Sequence, residues 1–181
     1  MAEYRLVRYL PVTFAANVRK VTVTGEAYFE VVHNAAKPFV VSKVNQTFQD
    51  IGIAFDVNAY TDEASSRTTL VEGSVKVNGT ILKLGQQANS RLGIVNADIQ
   101  ETIAWKSSMF RFSNEKLSEI LLQASRWYNV EVVYENDTLQ NKTFGVIGNR
   151  FQNVSQLLHT LELTGDIKFK IQGNQITVSK P

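Results

Sequence analysis

The stretch Thr24-Gly25-Glu26-Ala27-Tyr28-Phe29-Glu30-Val31 decides how the N-terminal half of this chain is read. With the residues just before it, it places Val21, Val23, Ala27, Phe29 and Val31 on odd positions. Thr22, Thr24, Glu26, Tyr28 and Glu30 fall on even ones. A period of two gives a strand one apolar row and one polar row, on opposite faces. Gly25 interrupts the run, which predicts a bulge or a close backbone approach.

Outward from this strand, residues 4–95 read as strand after strand. The alternation predicts strands over 5–9, 20–32, 39–43, 53–60, 68–71, 74–77 and 80–84, separated by turn signals at 34–38, 45–46, 61–66, 78–79 and 84–85. Asn78-Gly79 between two alternating runs predicts a tight hairpin, since both residues tolerate positive φ. Gly25 and Gly73 each open an alternating strand. This echo predicts coils of one twisted, stacked, β-helix-like structure.

Around 96–104 the alternation stops, and a subdomain boundary is expected there, dividing the chain into 1–98 and 105–181. Beyond it strands and helices alternate. Phe110-Arg111-Phe112 reads as a strand, and Asn114 as the cap of a helix carrying Leu117, Ile120, Leu121, Ala124 and Tyr128 on one face. A strand over 130–134 follows. The unit then recurs: a strand at 144–146, and Asn153 as a cap with Gln156 three residues on. Val154, Leu157, Leu158 and Leu161 form the stripe of that helix, and Gly165 its stop. Two last strands flank the Gly173-Asn174 turn. The fold class expected is mixed β and α/β: an all-β half, then two βαβ units in a small α/β layer.

Composition narrows the function. Charged residues make up 20% and the net charge is +2, without a run of like charge. No nucleic-acid partner is expected from so weak a field. The chain has no cysteine, which removes disulfides, cysteine-ligated zinc and thiol nucleophiles. No window is long and apolar enough to span a bilayer, and the first residues lack a signal-peptide pattern.

The chemistry-bearing residues do not converge. Glu26 and Glu30 share a strand face, about 13–14 Å apart at the backbone. Glycosidase carboxyl pairs stand roughly 5–5.5 or 6.5–9.5 Å apart. His33 and His159 are the only histidines, too few for a zinc site unless carboxylates complete it. Gly73-Ser74 lacks the frame of a nucleophile elbow, and Gly145-Val146-Ile147-Gly148 is no phosphate loop. Trp105, Phe110, Phe112, Trp127 and Tyr128 are expected in packing rather than base stacking. The expectation is therefore no catalytic residue, cofactor or metal. Interaction remains: an exposed strand edge pairs with another chain, and Lys168, Lys170 and Gln172 form a polar strand face that would serve there. Lysine on an edge also blocks such pairing.

The wording of several segments is more specific than their physics. Thr24–Val31, Lys37-Pro38-Phe39-Val40-Val41, Phe55-Asp56-Val57-Asn58-Ala59-Tyr60 and Thr69-Leu70-Val71-Glu72-Gly73-Ser74-Val75-Lys76-Val77 resemble the periplasmic region of FecR-type regulators. Leu84-Gly85-Gln86-Gln87-Ala88, Trp105-Lys106, Phe110-Arg111-Phe112 and Arg126-Trp127-Tyr128-Asn129-Val130-Glu131-Val132 continue the likeness. The resemblance implies the periplasmic sensory region of an anti-sigma factor regulator of the inner membrane, its membrane span and cytoplasmic sigma-binding domain lying outside this sequence. It also implies a C-terminal subdomain similar to the short N-terminal domain of secretins and TonB-dependent transporters. The implied partner is the signalling domain of such a transporter, with an extracytoplasmic-function sigma factor reached only through the cytoplasmic domain. The alternative is a carbohydrate- or matrix-binding β module, for which exposed aromatic platforms are needed.

Overall fold

In a computed structural model of the protein, residues 17–32, 34–43, 46–50 and 53–181 are described. The expected strand at 5–9, together with His33 and Asn45, lies outside them. The chain divides into two compact units, with the division between Ile103 and Ala104.

The described residues of the first unit are β-structure up to its last turn. Its strands are β1 (Arg19–Thr22), β2 (Gly25–Val31), β3 (Phe39–Lys43), β4 (Gln46–Asp50), β5 (Ile53–Ala59), β6 (Arg67–Glu72), β7 (Val75–Val77), β8 (Thr80–Leu82), β9 (Gln86–Asn89) and β10 (Gly93–Asn96). They form two five-stranded sheets, ordered β1-β3-β4-β7-β8 and β10-β9-β6-β5-β2. A short helix, α1 (Ile99–Thr102), follows, capped by Asp98, whose carboxylate accepts from the Gln100 and Glu101 amides.

In β2 the alternation holds. Ala27 is buried, Phe29 and Val31 pack against the core, and Glu30 points to solvent. Phe29 stacks on Phe55 at 5.2 Å and tilts against Phe39 at 5.6 Å. No bulge occurs at Gly25, because β2 pairs with β5 in unbroken register from Gly25↔Ala59 to Val31↔Ile53. Gly25 is needed for its backbone: its φ is +90°, and a Cβ there would lie 3.3 Å from the Tyr60 ring. The bulge falls instead where β5 meets β6, between Ala54 and Phe55. The Asn78-Gly79 hairpin is present, with φ of 46° and 87° closing β7 onto β8.

Stacked coils are not how this unit is built. Among the described residues every pairing of this unit is antiparallel except β1 with β3. The two glycine-led strands, β2 and β7, lie in different sheets. A local glycine-strand echo reports two similar turns, and pairing is set by which apolar faces meet. β4 and β9 were invisible to alternation because their sequences, QTFQD and QQAN, are mostly polar.

The second unit contains β11 (Met109–Lys116), α2 (Leu117–Tyr128), β12 (Glu131–Tyr134), β13 (Thr143–Asn149), α3 (Val154–Glu162), β14 (Lys168–Gln172) and β15 (Gln175–Ser179). Single 3-10 turns span Ala104–Ser107 and Asp137–Asn141. Leu117, Ile120, Leu121 and Ala124 are fully buried on α2, and Leu157, Leu158 and Leu161 are buried on α3. They pack with Phe110, Phe112, Phe144, Val146, Ile176 and Val178 in one core.

The strand-helix-strand order was legible, yet the two βαβ units are not. In a βαβ unit the helix joins two parallel strands of one sheet. Here β11 pairs antiparallel with β13, while β12 lies parallel to β15 and β14 antiparallel to it, in order β12-β15-β14. Each helix therefore connects two sheets. Asn114 is no helix cap either: it lies in β11 with φ of 57°, beside the bulge between Phe112 and Glu115. The N-cap of α2 is Lys116, which makes no side-chain capping bond. Asn153 does cap α3 by position, but also without a side-chain bond.

Candidate functional site

Glu26 and Glu30 lie along one strand, β2. Glu26 and Glu30 stand opposite Asn58 and Ala54 in the unbroken β2–β5 register, so no kink draws them together. Between them in the sheet runs a buried polar row that alternation misread. Asp56 and Asn58 are 2% and 5% exposed, although they alternate with Phe55, Val57 and Ala59. Alternation predicts a solvated face there, but the face is covered. The Glu63 carboxylate, from the turn between β5 and β6, accepts from Asn58 Nδ2 at 3.2 Å and pairs with Arg67. Gln87 Nε2 donates to Thr69 Oγ1 at 2.8 Å, tying β9 to β6. Burial, and then the charges of Glu30, Glu72 and Asp56, hold the Tyr28 phenol above its ordinary pKa. This network fastens the β5–β6 turn to the sheet.

His159 is exposed on α3, with Nδ1 4.0 Å from Glu162. Among the described residues no group of three histidine, aspartate or glutamate side chains is placed to hold a metal ion.

Four aromatic residues singled out from the sequence belong to the packing of the second unit. Phe110 and Phe112 are core residues, and Trp127 and Tyr128 pack against the same core. Arg150, which no sequence pattern singled out, organises them. Its guanidinium lies 4.4 Å from the Phe110 ring centre and 5.4 Å from that of Trp127, while its carbonyl accepts from Trp127 Nε1 at 2.6 Å. A cation over both rings occupies the surface a stacked base would need. Phe151 remains 79% exposed, edge-on to Trp127.

Lys168, Lys170 and Gln172 are exposed, on β14, which is an edge of its three-stranded sheet. In antiparallel pairing alternate residues turn their backbone groups toward the partner strand. The Phe169 amide donates outward, to Glu162 Oε1 at 2.7 Å, so the backbones of Lys168, Lys170 and Gln172 face β15. Their side chains form a polar face, while the pairing edge belongs to Phe169 and Ile171. At Phe169 the carboxylate already holds that edge.

Among the described residues no helix is long and apolar enough to cross a membrane. No curated protein matches the chain significantly. Two crystal structures of a candidate anti-sigma factor from Parabacteroides distasonis ATCC 8503 share its fold. One has a TM-score of 0.83 at 22% identity, over 96% of this chain and 85% of that one. The other has a TM-score of 0.82 at 23% identity, over 94% and 84%. Residues 109–178, from the start of β11 into β15, match the family described as FecR, C-terminal. Through this C-terminal unit the chain is similar to the FecR family.

Proposed function

We propose that this chain is the periplasmic, signal-receiving part of an anti-sigma factor regulator. It docks the N-terminal signalling domain of a TonB-dependent outer-membrane transporter and so governs an extracytoplasmic-function sigma factor. The observation that carries this reading is the FecR C-terminal match across β11–β15. The unbroken β2–β5 register, which keeps Glu26 and Glu30 apart along one strand, supports docking over catalysis by that pair.

A docked partner shifts a regulator only through unequal affinity for its two states. The signalling domain must therefore prefer the conformation that alters the hold on the sigma factor. Calorimetric titration of the chain with the signalling domain of the transporter encoded beside it tests the reading. A saturable complex at micromolar concentration is expected. Binding to a glycan, with none to the signalling domain at high micromolar concentration, would instead make this a carbohydrate-binding module.

A further inference from the structure

We infer that the outer edge of β13, with the groove between it and α3, receives an extended strand of that signalling domain. The inference rests on the proposed function for the identity of the partner. The place comes from the hydrogen bonds of the second unit.

Among its described residues the unit has four strand edges, and three are poor hosts. On β14 the Glu162 carboxylate occupies the Phe169 amide, and the exposed side chains of Lys168 and Lys170 flank it. On β11 the Arg150 side chain donates from Nε to the Met109 carbonyl at 3.0 Å, and the Lys116 amide donates to Glu115 Oε1 at 2.9 Å. The bulge after Phe112 breaks the row between them. β12 has four residues, and the bonds from the Glu131 and Glu135 amides to β15 leave only Val132 and Tyr134 facing out. Such caps, bulges and short strands are how proteins close an edge.

β13 has none of these. The Arg150 amide bonds to the Ser108 carbonyl, and the Leu117 amide to the Lys142 carbonyl, both at 2.8 Å. These two bonds place the even-numbered residues of β13 toward β11. Thr143, Gly145 and Ile147 therefore turn their amides and carbonyls outward, and among the described residues nothing bonds to them there. The row closes at Asn149, whose carbonyl accepts from the Gln152 amide. Donors and acceptors repeating about every 6.8 Å fit another backbone in extended form.

The space beside the Ile147 end of this row suits such a segment. There a groove of about 420 Å³ lies between β13 and α3, lined by Ile147, Gly148 and Asn149 on one side and by Gln156, His159 and Thr160 on the other. No aspartate, glutamate, lysine or arginine lines it, so an uncharged segment enters without an unpaired charge. Ile147 is 61% exposed and gives the incoming strand an apolar contact.

Hydrogen exchange followed residue by residue by NMR, on the whole chain with and without the recombinant signalling domain, tests this directly. The Thr143, Gly145 and Ile147 amides are expected to exchange quickly in the free chain. In the complex they should slow at least about tenfold. Ile147→Pro removes an outward amide and spares the β11 ladder, and should weaken binding by about tenfold or more. Ile171→Pro, at an outward position of β14, should leave affinity within about twofold. Should Ile147→Pro fail to fold, the exchange experiment on the unaltered chain still decides. A complex that protects only other amides overturns this inference and leaves the signalling reading standing. Absence of any complex overturns both. Protection of the same amides in the free chain, rising with its concentration, would assign the edge to a second copy and overturn the partner named here.

Discussion

Two residues carry consequences larger than their size. Gly25 opens β2 at a φ of +90°, a region L side chains rarely enter, with Tyr60 close against the missing Cβ. Gly25→Ala should cost about 1–2 kcal/mol, seen as a lower denaturation midpoint at unchanged m-value. Tyr134 is the other: burial first, then the Glu119 charge, pushes its phenol up to about 12. In the unfolded chain the phenol ionises near pH 10, while in the fold it stays protonated. Its contribution is thus full below pH 10 and is lost as pH rises from 10 to about 12. Tyr134→Phe should flatten the fall of stability over that window, read from urea unfolding at a series of alkaline pH values. Gly25 was marked by its interruption of the alternation. Tyr134 was not, since its neighbour Glu119 is placed by the packing of α2.

At the level of elements, the edges separate what binds from what is closed. Glu162 lies in the last turn of α3, and its carboxylate takes the Phe169 amide of β14. Glu162→Ala should speed exchange at the Phe169 amide and cost about 1 kcal/mol. Helix faces were readable from the sequence, because the i, i+3, i+4 stripe of α2 (Leu117, Ile120, Leu121, Ala124) depends only on helix geometry. The caps were less readable. Asn114 has a good capping side chain, but the bulge opposite Gly145 uses it in β11. Lys168, Lys170 and Gln172 could be placed on one strand face by their spacing. Which backbone groups of β14 stay unpaired depended on the distant strand β15 and the carboxylate of α3.

For the molecule as a whole, two separate cores matter most. One gathers α2, α3 and the strands around them, and the other lies among the strands of the first unit. Leu121 is fully buried in the C-terminal core, and Leu121→Ala should destabilise that unit by about 2–5 kcal/mol. Calorimetry should then show one transition moving down in temperature while the transition of the first unit holds. Most of the strands, the two long helices with their apolar faces, the Asn78-Gly79 turn and the wording shared with FecR-type regulators lay in the sequence, because each depends on residues near one another in the chain. Only the tertiary structure decided that β11 joins β13 and β12 joins β15, that Asp56 and Asn58 are covered, and that the outward backbone of β13 is unbonded among the described residues. Those outcomes depend on which distant faces and backbone groups meet, and no local period encodes that choice.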